Sequence, residues 1–273
     1  MKPIYDFIVW ALKRAKKATV PQGAILPINN NLVGSDGEWE YLYGTSGKKV
    51  TQALLDERWK NHYSTTQWTR ESYLKATAGW VERGVIACDC QGLLDQYLGS
   101  DTTANGNYIK YCTGKGKITE INRPWVIGEA VFNGTDTKKT HVGWVCGFMP
   151  NGEPVVVHAR GLAYGVVINS FSEFKWTYRG LMTNIFKYSE DKPMAKIIKL
   201  TTPLMRGSDI KALQDALNGL GYDCGKADGI AGQKTLDGIK AFVAAHSEPQ
   251  ALPDKLNVHI TAGNTVYTGT IKR

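Results

Sequence analysis

The stretch Ala87-Cys88-Asp89-Cys90-Gln91-Gly92-Leu93-Leu94 decides how this chain is read. The run from Cys90 to Leu98 has apolar residues at helical spacing and is expected to be a short helix with the Cys90 thiol at its N-terminal end. A thiol in that place meets the positive end of the backbone dipole, which lowers its pKa and favours the nucleophilic thiolate. Outward from it, His141 stands in Thr140-His141-Val142-Gly143-Trp144 and His158 in Val155-Val156-Val157-His158-Ala159. Cysteine nucleophiles are assembled in this way, from members distant in sequence that converge on folding. In such a set His141 is the general base and later the acid, and His158 orients its ring. Backbone N–H groups at the helix start, that of Cys90 included, are candidate oxyanion donors.

Each residue also has a plainer reading. A lone buried cysteine is inert more often than reactive. Cys88, Cys90 and Cys112 with a histidine would make a zinc set, but C-x-C lacks the usual C-x-x-C spacing and has no matching second pair. His141 and His158 would be polar residues satisfied within strands. His62, His246 and His259 lack a comparable context and read as surface or structural, and Cys112, Cys146 and Cys224 as packing residues. The five cysteines are an odd set without the density of a disulfide scaffold, so reduced thiols in a chain made in the cytoplasm are expected.

The net charge of +8 and a pI near 9.1 draw the chain toward something acidic: nucleic acid, anionic lipid or an anionic wall. No arginine-rich arm supports nucleic acid, and none is expected as a partner. Ile4–Leu12 is apolar but interrupted by Asp6, with its basic residues after rather than before it, which reverses the order of a secretion signal. It is too short to span a bilayer and reads as an amphipathic helix, so no stable membrane anchor is expected.

All eight tryptophans fall between Trp10 and Trp176. That shift in composition places a boundary in Tyr188-Ser189-Glu190-Asp191-Lys192-Pro193, giving a first domain over 1–188, a linker over 189–195 and a second domain over 196–273. In the first domain, helices are expected over 2–18, 50–60 and 70–83, with a loop or small hairpin over 20–38. Strands follow at Glu129–Phe132, His141–Phe148, Pro154–Ala159 and Gly165–Ser170. Helices followed by an antiparallel meander make an α+β domain. In the second domain, Asp209–Leu220 has an apolar face, with Ser208 as N-cap and Gly221 as terminator. Asp228-Gly229-Ile230-Ala231-Gly232 forms a tight loop before a helix over Gln233–Ala245, and 256–272 suit a hairpin around Ala262-Gly263-Asn264.

In their order along the chain, these motifs resemble the NlpC-like cell-wall cysteine peptidases, which have a compact papain-like fold of helices packed on an antiparallel sheet. Asp89-Cys90-Gln91-Gly92 is similar to the family's aspartate-cysteine-serine-glycine helix start, and Gly128-Glu129 to its glycine-aspartate strand. His141-Val142-Gly143 is similar to its histidine-valine-glycine strand, and Val157-His158-Ala159 to the strand bearing the third catalytic residue. Tyr41-Leu42-Tyr43-Gly44 resembles the segment whose tyrosine lines the site, although Trp39, Tyr41 and Tyr43 read equally well as core aromatics. Gln91 departs from the usual serine and Glu129 from the usual aspartate; residues 50–83 form an enlarged insertion and 99–123 a longer connection.

The resemblance covers roughly residues 36–180. It implies a metal- and cofactor-free hydrolase of peptidoglycan stem peptides with Cys90, His141 and His158 as its catalytic set and Tyr41, Asp89 and Gln91 beside the substrate. The commonest target in the family is the bond from the γ-carboxyl of D-glutamate to the diamino acid. The tail resembles the small three-helix peptidoglycan-binding module through Arg206-Gly207, Leu213-Gln214, Leu220-Gly221-Tyr222, Asp228-Gly229-Ile230-Ala231-Gly232, Thr235 and Phe242, with Asp228 read as structural. The hairpin lies outside that pattern. The partner implied is bacterial cell-wall peptidoglycan, and the missing signal fits an endolysin of a phage or prophage. Rival readings are an N-acetylmuramoyl-L-alanine amidase with the same triad and a non-catalytic wall-binding protein.

Overall fold

The computed structural model describes residues 1–188, 197–198, 203–246, 255–262 and 265–272. The expected linker at 189–195 and the turn residues Gly263 and Asn264 lie outside the described residues. The chain divides into two compact units, Met1–Ser189 and Glu190–Arg273.

In the first unit, β1 (Lys2–Pro3) leads into α1 (Ile4–Leu12), which buries Phe7, Ile8, Ala11 and Leu12 as one stripe. The helix is shorter than the expected 2–18 because the Lys16 N–H is drawn to the Val166 carbonyl, and only a 3₁₀ turn follows at Lys17–Thr19. Residues 20–38 contain no hairpin strand; Ile25 instead bridges to Phe148. Three short strands, β2 (Glu40–Tyr41), β3 (Lys48–Lys49) and β4 (Ile86–Cys88), make a small sheet in the order β2-β4-β3. β2 runs parallel to β4 and pairs Tyr41 with Cys88.

The insertion between β3 and β4 carries α2 (Gln52–Asn61) and α3 (Arg70–Ala76). Thr51 accepts the Leu54 N–H and Thr69 the Ser72 N–H, so each helix starts at a threonine cap. The two helices enclose Leu55, Tyr63, Tyr73 and Trp80, packed on Leu42 and Ala87. α3 stops short of residue 83, where the Thr77 hydroxyl donates back to the Tyr73 carbonyl.

After α4 (Gly92–Leu98), the short α5 (Ala104–Gly106) runs into a π-helical turn at Asn107–Tyr111. The main sheet contains β5 (Thr113–Lys117), β6 (Ala130–Gly134), β7 (Lys139–Phe148), β8 (Pro154–Gly161), β9 (Gly165–Ser170) and β10 (Tyr178–Leu181). It is antiparallel throughout, in the order β5-β10-β6-β7-β8-β9. β11 (Phe186–Lys187) returns parallel to β1. One face of the sheet packs against α1 and α4: the Phe7 ring meets Trp144 edge-on at 5.0 Å and stacks on Phe186 at 5.9 Å. The other face of β7, β8 and β9 bears His141, His158 and Asn169, because Val145 pairs with Val156, Val156 with Asn169, and alternate residues share a face.

The second unit has β12 (Ile197–Ile198), α6 (Ser208–Gly219) and α7 (Gln233–His246). Its last elements are β13 (Lys255–Ala262) and β14 (Thr265–Lys272), paired as an antiparallel hairpin with β12 parallel to β14. Ile210, Leu213, Leu217, Cys224, Ala231 and Ile239 form its core. Gly207, not Ser208, stands at the α6 cap. Among the described residues this unit has two helices, where the resemblance implied three. The described chain as a whole is α+β.

Candidate active site

Cys90 sits in the tight turn between β4 and α4, and the turn is wired almost entirely by backbone. Asp89 Oδ1 accepts the N–H groups of Gly92 at 2.7 Å and Gln91 at 3.1 Å, and Oδ2 accepts that of Gly44 at 2.9 Å. The Asp89 N–H donates to the Thr45 carbonyl at 2.8 Å. Position 92 admits only glycine, since a Cβ there would lie 2.0 Å from the Thr45 carbonyl oxygen. Within this frame the half-buried Cys90 sulfur lies near the backbone N–H of Val142, with those of Gln91 and Cys90 also close enough to favour its charged form. The β7 amide near the sulfur is thus one residue along the strand from His141.

The electrostatics differ from the sequence expectation. Burial, with the Asp89 carboxylate adding to it, pushes the Cys90 thiol up to about 12 despite the N–H groups aimed at it. α4 has only seven residues, and Asp89 already accepts two of its leading amides with a negative charge, which offsets the positive end of the helix at the sulfur. The resting site holds a thiol rather than a thiolate.

Two of the three residues expected beside the substrate are engaged within the fold. The Asp89 carboxylate accepts three backbone amides, two on Oδ1 and one on Oδ2. Gln91 is buried; its Nε2 donates to Asp95 Oδ1 at 3.1 Å and its Oε1 accepts from Asn107 Nδ2 at 3.0 Å, so it braces α4 from inside. Tyr41 lies beside Cys90, placed there by the parallel pairing of β2 with β4. Burial, and then the neighbouring Cys90 and Asp89, raise its phenol far above the usual range, which keeps its O–H as a donor.

The two histidines meet directly: His141 Nε2 lies 2.8 Å from His158 Nδ1. His158 is fully buried, and its Nε2 lies 3.2 Å from Asn169 Oδ1. Burial lowers both imidazoles, His141 to about 4 with Arg160 adding to the effect, and His158 well below its ordinary value, with His141 as the second cause. Both rings are therefore neutral at neutral pH. Phe174 and Trp176 roof the pair, with ring centroids 4.8 and 5.7 Å from that of His141 and 5.1 and 5.2 Å from that of His158. Gly143 makes room for this roof: a Cβ there would stand 2.9 Å from Trp176 and 3.0 Å from the His158 Cβ. With Nε2 engaged by His158, Nδ1 is the His141 nitrogen left for a thiol.

The other candidates are elsewhere engaged. Cys88, Cys112, Cys146 and Cys224 are buried, and His62 stacks on Tyr43 at 3.6 Å between ring centroids. The side chains of His246 and His259 lie outside the described residues. No group of three His, Cys, Asp or Glu among the described residues is placed to hold a metal ion, and no described helix is long and apolar enough to cross a membrane. Sequence reasoning missed Asn169, Glu173, Phe174 and Trp176. The Ser170-Phe171-Ser172-Glu173 pattern was a readable capping-box signal, and the box forms.

In the second unit, Gln214 ties the Asp-Gly loop together. Its Nε2 donates to Thr235 Oγ1 at 2.9 Å and to the Ile230 carbonyl at 3.1 Å, and its Oε1 accepts the Gly229 N–H at 2.8 Å. Asp228 Oδ1 accepts the Ile230 N–H at 2.9 Å, a structural role. Residues 206–246 match the family model "Putative peptidoglycan binding domain". The second unit thus carries a peptidoglycan-binding module, which associates the chain with the cell wall. No curated protein and no solved structure matches the chain.

Proposed function

We propose that the chain is a peptidoglycan hydrolase whose first unit is a papain-like, NlpC-type cysteine peptidase held on its polymeric substrate by the wall-binding module. The observation that carries the reading is the Cys90 sulfur near the Val142 N–H, one residue from a histidine hydrogen-bonded to a second histidine. The matched module supplies the substrate class. Binding the polymer raises the local enzyme concentration on its target bonds.

In the proposed reaction His141 Nδ1 takes the thiol proton as sulfur adds to the stem-peptide carbonyl carbon. The C–S bond forms, the carbonyl π pair moves to oxygen, and the Cys90 N–H faces the oxyanion. Collapse of this adduct breaks the C–N bond, and the imidazolium returns its proton to the departing amine. Water, deprotonated by the same nitrogen, then hydrolyses the thioester and restores the thiol. A neutral thiol and a neutral imidazole suit transfer of the proton during attack. Tyr41 is the substrate-side donor at the cleft.

Within this reading the bond cut is γ-D-glutamyl to diamino acid. Mass spectrometry of digested muropeptides tests it: a new free amine on the diamino acid supports the endopeptidase. Muramic acid freed of its peptide identifies the amidase instead. Unchanged muropeptides leave a wall-binding protein without hydrolytic activity.

A further inference from the structure

The hydrogen bonds behind His158 do not stop at Asn169. Asn169 Nδ2 donates to Glu173 Oε2 at 2.9 Å, and Glu173 Oε1 accepts the Ser170 N–H at 3.0 Å. A carboxylate only accepts, so Glu173 compels the Asn169 amide to present its NH₂ outward and its oxygen inward. Arg160 Nη1, 3.4 Å from the same oxygen and only a donor, favours the same orientation. The inward oxygen must accept, so the proton of the neutral His158 ring sits on Nε2 and its Nδ1 is a bare acceptor. His141 then donates its own proton through Nε2, across the 2.8 Å contact, and its Nδ1 carries a lone pair.

We infer that Asn169 and Glu173 are positioning residues that set the tautomer of His141 through His158, so that the nitrogen left for Cys90 is a base and not an N–H. The inference rests on the cysteine peptidase reading for its consequence, though not for its geometry. Reversing the chain of donors would put a proton on His141 Nδ1 and leave the thiol facing a group that cannot accept its proton.

The test is tautomer-resolved ¹H–¹⁵N spectroscopy of the full-length chain at neutral pH, alongside steady-state kinetics on muropeptides. The parent is expected to carry its protons on Nε2 of both His141 and His158. In Asn169→Leu the acceptor is gone while Arg160 remains as a donor, so both protons are expected to move to Nδ1. A wrong tautomer of this kind lowers kcat by roughly 10²-fold with KM unchanged. In the double variant Asn169→Asp, Glu173→Gln the new carboxylate accepts from both neighbours, and the parental tautomers and rate are expected to return.

Parental tautomers persisting in Asn169→Leu overturn the inference, as does a parent protonated on His141 Nδ1. If Asn169→Leu fails to fold, the double variant decides: loss of the Nε2 protons there overturns the inference as well. A parent with the expected tautomers, shifted by Asn169→Leu, but with no hydrolysis of muropeptides supports the relay and removes the peptidase reading.

Discussion

The two sides of the candidate site are built by different means. On the nucleophile side, Asp89, Cys90, Gln91 and Gly92 are consecutive, and Asp89 fastens the turn through amides two and three residues ahead and through Gly44. On the histidine side, His141, His158 and Asn169 stand on three strands, joined by bonds that span seventeen and eleven residues. The first arrangement forms wherever the turn forms. The second exists only when β7, β8 and β9 pair in one register, since a one-residue slip would send each side chain to the opposite face. Local damage should therefore cost stability at the turn, and damage to the aromatic roof should appear in the pH response of the base.

The largest expected effect is Cys90→Ala. Loss of a covalent nucleophile lowers kcat by roughly 10⁴-fold or more, while the half-buried site loses little in melting temperature. A variant that still digests walls at the parent rate would break the assignment of the nucleophile.

Next comes Trp176→Ala, which opens the roof over the histidine pair. Burial is the first cause of the low His141 pKa, so hydration must raise it. The acid limb of kcat/KM is expected near pH 4 in the parent, and in the variant it should move up toward about 6.5. The same sign governs stability. From about pH 6.5 down to 4 the unfolded chain binds protons that the folded imidazoles refuse, so the parent loses stability on acidification across that window. Trp176→Ala should flatten this loss; equal acid limbs in the two proteins would sever the link between roof and base.

Asp89→Ala leaves three backbone amides without their acceptor. Urea denaturation should show a loss of about 2–3 kcal/mol. Gln91→Ala is expected to cost less, about 1–2 kcal/mol, with KM unchanged because the side chain faces Asp95 and Asn107. A raised KM for soluble muropeptides in Gln91→Ala, without loss of stability, would return this residue to the substrate side.

Much of this contrast was already visible in the sequence. The turn glycine two residues after Cys90 can be read from the sequence, and the meander from residue 129 to 170 follows from compact apolar segments bounded by turn residues. The strand pattern at Gly165–Ser170 recurs unchanged in the fold. β5 was not legible: Thr113-Gly114-Lys115-Gly116-Lys117 has no apolar alternation and is a strand because β10 pairs with it. β10 escaped for a related reason, its Arg179 being buried only through its ion pair with Glu129.

In the site, the bracing role of Asp89 was only partly legible, because one of its amide partners, Gly44, lies forty-five residues away in the chain. Likewise, the place of Gln91 depends on Asn107, sixteen residues away. Asn169 looked like an ordinary strand residue until strand register placed it behind His158.

The central claim is that the Cys90 sulfur forms a thioester during cleavage of peptidoglycan. Acid-quenched turnover on purified muropeptides, followed by peptide mapping, tests it most directly. The expected result is an acyl fragment of the stem peptide on the peptide containing Cys90, lost on longer incubation and absent in Cys90→Ala. Sustained hydrolysis with no adduct on Cys90, continuing in Cys90→Ala, would contradict it.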